Sequence, residues 1–247
     1  MTIYAIADLH LSLSTNKPMD VFGEKWRDHH LKIKENWQKT ITEKDIVLVA
    51  GDISWAMTFD QAKPDLDFLA DLPGKKILIR GNHDYWWKKI KWMRQQIGNH
   101  FTLLQHDSIE VQPGVGIAGV RGWTIPGEPI LSSSEWNLQE PSSTESDERI
   151  YNRERIRLQM AVDSLVHLIN LRTRVVMMHF PPCFVSSTHQ GFSDILIKGN
   201  VDICIFGHLH GKDGKRAPQG LINGVFYLFA AADANDFRPV PLPNQPF

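Results

Sequence analysis

Residues 76–84 read Lys76-Ile77-Leu78-Ile79-Arg80-Gly81-Asn82-His83-Asp84. An apolar run stops short, passes a glycine, and delivers an amide, an imidazole and a carboxylate in succession. Short runs of this kind, bounded by glycine or polar residues, read as buried strands. The design recurs along the chain. Ile3 to Ala7 precede Asp8, Ile46 to Ala50 precede Gly51-Asp52, Val175 to Met178 precede His179, and Val201 to Phe206 precede Gly207-His208. Helical patterns fall between them, near 24–38, 59–71, 85–97 and 147–170. Strand–helix alternation predicts an α/β fold with a largely parallel sheet and helices on its faces. In such sheets, sites form beyond the C-terminal ends of the strands. Five strand ends each carry a metal-competent residue here. Burying so many polar groups for structure alone is costly, so one shared site is the simpler reading.

The composition sets outer bounds. The chain has 247 residues, 42% hydrophobic and 22% charged, as a soluble globular protein does. Twenty-seven basic against 28 acidic side chains leave a net charge of -1, which removes any global electrostatic case for nucleic acid or an acidic membrane. A local basic patch stays open. Two cysteines, Cys183 and Cys204, exclude a disulfide framework and a cysteine-rich zinc module. No base is evident beside Cys183, four residues after His179, so a cysteine nucleophile is not expected. No apolar run approaches the roughly 20 residues of a membrane span. The opening MTIYAIADLH lacks the basic flank of a secretory signal, and a cytoplasmic location is the expectation.

One domain over residues 1–247 is expected. Residues 124–147 break the pattern with Pro, Gly, Ser and Glu, and read as a long surface loop, either a flap over the site or an insertion without a role. Residues 16–30 look like a second insertion, and residues 239–247 like an extended tail.

In chain order the polar ends are Asp8-Leu9-His10, Gly51-Asp52, Gly81-Asn82-His83-Asp84, His179-Phe180-Pro181-Pro182 and Gly207-His208-Leu209-His210. Each fragment alone is weak, but five in order are not. The set resembles the calcineurin-like metallophosphoesterase superfamily, in particular bacterial phosphohydrolases of unassigned substrate. The resemblance spans residues 8 to 210. It implies a layered β-sandwich of two mixed sheets flanked by helices.

The residues carry a physical reading of their own. Asp8, His10, Asp52, Asn82, His179, His208 and His210 offer oxygen and imidazole nitrogen but no sulfur, which suits Mn, Fe, Zn, Ni or Co. Seven ligands exceed what one ion needs while keeping a position for water, so two divalent ions are implied. Two dications about 3.5–4 Å apart need a shared anion. The resemblance assigns that bridge to Asp52, places Asp8, His10 and His210 on one ion, and Asn82, His179 and His208 on the other. In extended chain, residues i and i+2 point the same way, so D-x-H and H-x-H can each present two groups to one cavity. His29, His30, His100, His106, His167 and His189 read as ordinary surface or core histidines.

By the same resemblance His83 lies beside the ions, stabilises the phosphoryl oxygens and protonates the leaving alkoxide. The serine/threonine protein phosphatases of the superfamily carry G-D-x-x-D-R-G, whose second aspartate orients this histidine. Here Gly51-Asp52-Ile53-Ser54-Trp55-Ala56-Met57 puts Trp55 at that aspartate and lacks the arginine, which argues against that branch. Asp84 is then the candidate to orient His83. Arg121 is a candidate phosphate clamp or a surface ion pair. Residues 85–97, with Lys88, Lys89, Lys91 and Arg94 among tryptophans, form either a basic face toward an anionic partner or an ordinary amphipathic helix.

The function implied is dinuclear metal-dependent hydrolysis of a phosphate mono- or diester, by attack of a metal-bridging hydroxide on a small-molecule substrate. A nuclease or exonuclease of the same superfamily is the alternative. A catalytically silent binding scaffold is a weaker one, because it would be expected to have lost ligands and none is missing.

Overall fold

The computed structural model describes residues 1–128, 145–185 and 191–243. The early strands are apolar on both faces because both faces are covered. β1 (Ile3–Ile6), β2 (Ile46–Val49), β3 (Lys75–Leu78) and β4 (Phe101–Leu103) run parallel in one sheet. Alternate residues point opposite ways. Ile3, Ala5, Ile46, Leu48 and Ile77 face a second sheet. Ile6, Val47, Val49 and Leu78 face outward onto helices α1 (His29–Thr40), α2 (Phe59–Ala70) and α3 (Ile90–Ile97). Trp37 of α1 is fully buried there, and its indole N–H donates to the Pro73 carbonyl at 2.9 Å.

The second sheet begins after β4, where the chain turns at His106 and forms an antiparallel hairpin. It runs β5 (Asp107–Gln112), β6 (Val115–Gly119), β7 (Thr173–Met177), β8 (Ile203–Phe206), then β10 (Val225–Phe229), with β9 (Gly220–Ile222) at its edge. Val175, Met177, Ile203 and Ile205 face the first sheet. Val176, Cys204 and Phe206 face α4 (Glu145–Val166) and α5 (Ser193–Lys198), meeting Leu158, Val162 and Leu196. Each such aliphatic side chain contributes about 1.5–3 kcal/mol on burial, so a three-tier core of this kind dominates the fold's stability.

The architecture is therefore a sandwich of two mixed sheets, of five and six strands, and not the single largely parallel sheet that element order alone suggests. The two sheets meet beside the strand ends: Ala7 donates to Ala230 at 2.8 Å and accepts from Ala232 at 2.9 Å.

Four boundaries differ from expectation. Residues 16–30 pack into the core, Met19 and Trp26 from two short 3-10 turns and His29 from the first turn of α1, so the expected helix near 24–38 starts only at His29. Residues 85–89 form a turn that buries Trp86 and Trp87, so α3 starts at Ile90. The loop expected to reach residue 147 ends earlier, since α4 begins at Glu145; residues 129–144 lie outside the described residues, as does His189. The tail is tied down as far as it is described: β11 (Val240–Pro241) pairs antiparallel with β1, and Leu242 is buried.

Candidate metal centre

β1, β2 and β3 of one sheet and β7 and β8 of the other end side by side, and the polar residues that follow them converge. Much of this backbone is unusual. Asp8, His10, Asp52 and His208 have φ of 60°, 45°, 51° and 73°. For residues with a Cβ this region costs of order 1–3 kcal/mol each, and the surrounding structure must hold it. The Asp8 N–H donates to Gly51 at 3.0 Å, that of His10 to Asp52 at 2.9 Å, and that of His208 to the Asp8 carboxylate at 2.9 Å. The approach is tight: a Cβ on Gly81 would overlap Asp52, and one on Gly207 would overlap Asp8.

Two groups of ligand-competent side chains result. Asp8, His10 and His210 place their atoms within 4.8 Å of one another, and so do Asp52, His179 and His208. Asn82 joins the second group, its Oδ1 being 2.7 Å from His179 Nε2. The groups abut at Asp52, whose Oδ2 lies 3.4 Å from His179 Nε2 and 3.9 Å from His10 Nε2.

The chemistry of the donor set fits divalent cations. Asp8 Oδ1 is fully buried with no hydrogen-bond partner among the described residues, which would be costly without a cation. Burial pushes the Asp8 carboxyl up to about 7, against the pull of His210 and His179. Burial also disfavours charge on His179, yet the Asp52 carboxylate beside it raises this imidazole to about 9. Two buried carboxylates thus call for positive charge, and a divalent ion meets that need better than a proton. Burial keeps His10 and His208 neutral, the form in which an imidazole nitrogen is a ligand.

A further layer orients the ligands. His179 Nδ1 is 3.0 Å from the Ala50 carbonyl, which leaves Nε2 for a metal. His210 Nδ1 is 2.8 Å from Asp233, whose other oxygen accepts from Lys25 at 2.8 Å. This is the carboxylate–histidine arrangement common at metal sites. Sequence reasoning lets residues 230–239 return near the site but gives Asp233 no role, because 23 residues and no motif separate it from His210. His29 is a satisfied core histidine, its ring nitrogens lying 3.0 and 3.2 Å from the Leu9 and His10 carbonyls and 3.2 Å from that of Trp26. We expect Asp233→Ala to weaken metal retention about 10–100-fold, read as metal content after dialysis, because His210 loses the partner that fixes its ring.

His83 stands at the rim, 23% exposed, with Nε2 4.0 Å from Asp52 Oδ2. Asp84 does not orient it, which corrects the expectation. The Asp84 carboxylate turns inward and accepts from the N–H groups of Ile53 (2.9 Å), Ser54 (3.1 Å), Gly81 (2.7 Å) and the Trp86 indole (3.0 Å). It pins the two ligand loops together, and His83 Nδ1 has no hydrogen-bond partner among the described residues. Trp55 occupies that side, 4.3 Å from the His83 ring and stacked on His10 at 4.9 Å between centroids.

Two other candidates also settle elsewhere. Arg121 lies over Trp123 at 4.5 Å and 3.6 Å from buried Glu154, in a neighbouring pocket. On the basic segment, Arg94 donates to the Leu103 carbonyl and pairs with Asp107, and Lys88 sits over Trp92, so these two hold α3 in place.

Comparison with known proteins decides the family. The model of the calcineurin-like phosphoesterases matches residues 1–212. The chain belongs to the calcineurin-like phosphoesterase family. That family comprises metal-dependent phosphoesterases, which places this chain among hydrolases of phosphate-ester bonds. The chain is 26% identical over 185 residues to the Gene 66 protein of Mycobacterium phage D29, covering 75% of this chain and 67% of that one. It is 30% identical over 109 residues to the uncharacterized protein MJ1445 of Methanocaldococcus jannaschii, covering 42% and 58%. The chain thus spans little more than half to two thirds of these relatives' lengths. A protein of unknown function, AQ665 from Aquifex aeolicus, shares the fold with a TM-score of 0.51 at 19% identity, over 97% of this chain and 95% of that one. Among the described residues, no helix is long and apolar enough to cross a membrane.

Proposed function

We propose that this calcineurin-like phosphoesterase hydrolyses a small phosphate mono- or diester at a dinuclear metal centre. The observation that carries the reading is Asp52, a buried carboxylate within reach of both ligand groups. Asp8, His10 and His210 would hold one ion; Asn82, His179 and His208 would hold the other; Asp52 would serve both. Bound there, two divalent ions supply Lewis acidity and hydroxide at neutral pH.

The chain's own residues do the rest. The Asp233 carboxylate and the Ala50 carbonyl hold His210 and His179 with Nε2 toward the centre. Asp84 keeps the Asp52 and Asn82 loops at fixed separation. His83 stands at the rim beside Trp55 and, when protonated, would give the departing alkoxide its proton.

The test is a panel of mono- and bis-p-nitrophenyl phosphate and nucleotides, run across Mn, Fe, Co, Ni and Zn. Chelation should abolish turnover. A transition metal should restore it better than Mg, because imidazole favours borderline ions. Full activity in Mg alone after exhaustive chelation would count against histidine ligation.

A further inference from the structure

Beyond the metal centre, arginines crowd around one cavity. It has a volume of about 180 Å³ and lies where β3, β4 and β6 end against α4. Arg80, Arg121, Arg153 and Arg157 line it, with Gln105 and Glu154. Four arginines therefore share the cavity with one carboxylate. Glu154 is fully buried, 2.6 Å from Arg157, 3.6 Å from Arg121 and 3.7 Å from Arg153. Its Oε1 makes all three contacts, so one oxygen fans three arginines around the cavity. Arg80 has no ion pair among the described residues, and its Nε is buried without a partner, as is Gln105 Oε1. Burial and the neighbouring arginines push Arg121 down to about 10, with only Glu154 opposing.

The cavity carries a surplus of three positive charges, four arginines against one glutamate, and one buried donor, Arg80 Nε, without a partner among the described residues. A cavity of about 150 Å³ accepts benzene, so the volume here holds a phosphoryl group with room beyond it. Guanidinium forks match phosphoryl oxygens in geometry and charge. The second Glu154 oxygen, also unpartnered, would repel an anion; it is outnumbered, and it sits at the α4 wall. The cavity shares its walls with the metal loops. Arg80 directly precedes Gly81-Asn82, and the Arg121 carbonyl accepts from the N–H groups of His179 and Phe180 at 3.0 and 3.1 Å.

We infer that this arginine cavity is a second, metal-independent binding site for a multiply charged phosphorylated anion. The anion is either the distal phosphate of a substrate whose scissile ester lies at the metals, or a separate phosphate compound. The inference does not rest on turnover, so it stands or falls apart from the proposed hydrolysis.

The probe is inorganic pyrophosphate, titrated calorimetrically into the full chain as purified and after chelation. Binding should persist after chelation and weaken with salt. In Arg80→Gln it should weaken about tenfold or more, and further in Arg80→Gln/Arg157→Gln, as loss of charge-assisted contacts requires. Arg80 carries no ion pair among the described residues, so its replacement should leave the melting temperature unchanged. No binding to the chelated protein, or equal binding by both variants, overturns the inference. A comparison of one monophosphate and one bisphosphate ester separates the sources. A fall in kcat/KM of Arg80→Gln on the bisphosphate alone identifies a substrate's distal group. Unchanged kcat/KM on both, with pyrophosphate binding lost, identifies a separate anion.

Discussion

Asp52→Asn is expected to abolish turnover and to strip metal from both positions at once. The other candidate ligands each sit in one group, but Asp52 Oδ2 lies 3.4 Å from one group's imidazole and 3.9 Å from the other's. An amide offers one neutral oxygen and no negative charge, so it cannot screen two dications about 3.5–4 Å apart. The exchange is nearly isosteric, and the amide keeps an oxygen able to accept the His83 backbone N–H, as Asp52 Oδ1 does at 2.8 Å. Loss of fold is therefore not the expected cause. Metal analysis beside turnover of a chromogenic ester checks this. A variant that keeps two metals per chain and most of its activity would show that the centre is not bridged by Asp52.

His83 should separate from the ligand histidines. His83→Ala should keep both metals and lower kcat by roughly 10²–10⁴ on a poor leaving group, the usual contribution of a positioned proton donor. With p-nitrophenolate, which leaves without a proton, the loss should shrink. His179→Ala and His208→Ala should lose metal and activity together on every ester. The geometry supports this division, since His83 falls in neither group of converging ligand atoms and stands at the rim, 23% exposed. Equal losses of His83→Ala on good and poor leaving groups would leave it only a charge-stabilising role. A missing metal in that variant would make it a ligand.

The candidate ligands were legible because they follow the ends of apolar runs, and runs such as Ile46 to Ala50 are hard to read as anything but buried strands. The same feature hid the division into two sheets. Val47 and Leu48 are equally apolar, although one faces a helix and the other faces the second sheet, so the pattern does not say what covers each side. Family resemblance supplied that division. β4 and β5 escaped notice because they are short or only half-buried, with polar residues such as Glu110 among them. Asp84 misled for a local reason. It follows His83 directly, but the turn sends the two side chains opposite ways, one toward the rim and one into four N–H donors. Residues 230–239, after the apolar run Val225 to Phe229, can be read as returning near the site, but nothing in them singles out Asp233; Glu154 lay beyond reach, since it acts on residues distant in sequence.

The stacking of Trp55 on His10 makes the centre self-reporting. Trp26 also meets His10, edge-on at 5.9 Å. Open-shell ions such as Mn, Fe, Co or Ni quench the emission of an adjacent indole, whereas Zn, with its filled d shell, does not. Both indoles lie on the Asp8–His10–His210 side, so a fluorescence titration would follow the filling of that position ahead of, or behind, its neighbour. Replacing both indoles, Trp26→Phe/Trp55→Phe, should remove most of the signal, turning metal uptake on that side into an optical measurement.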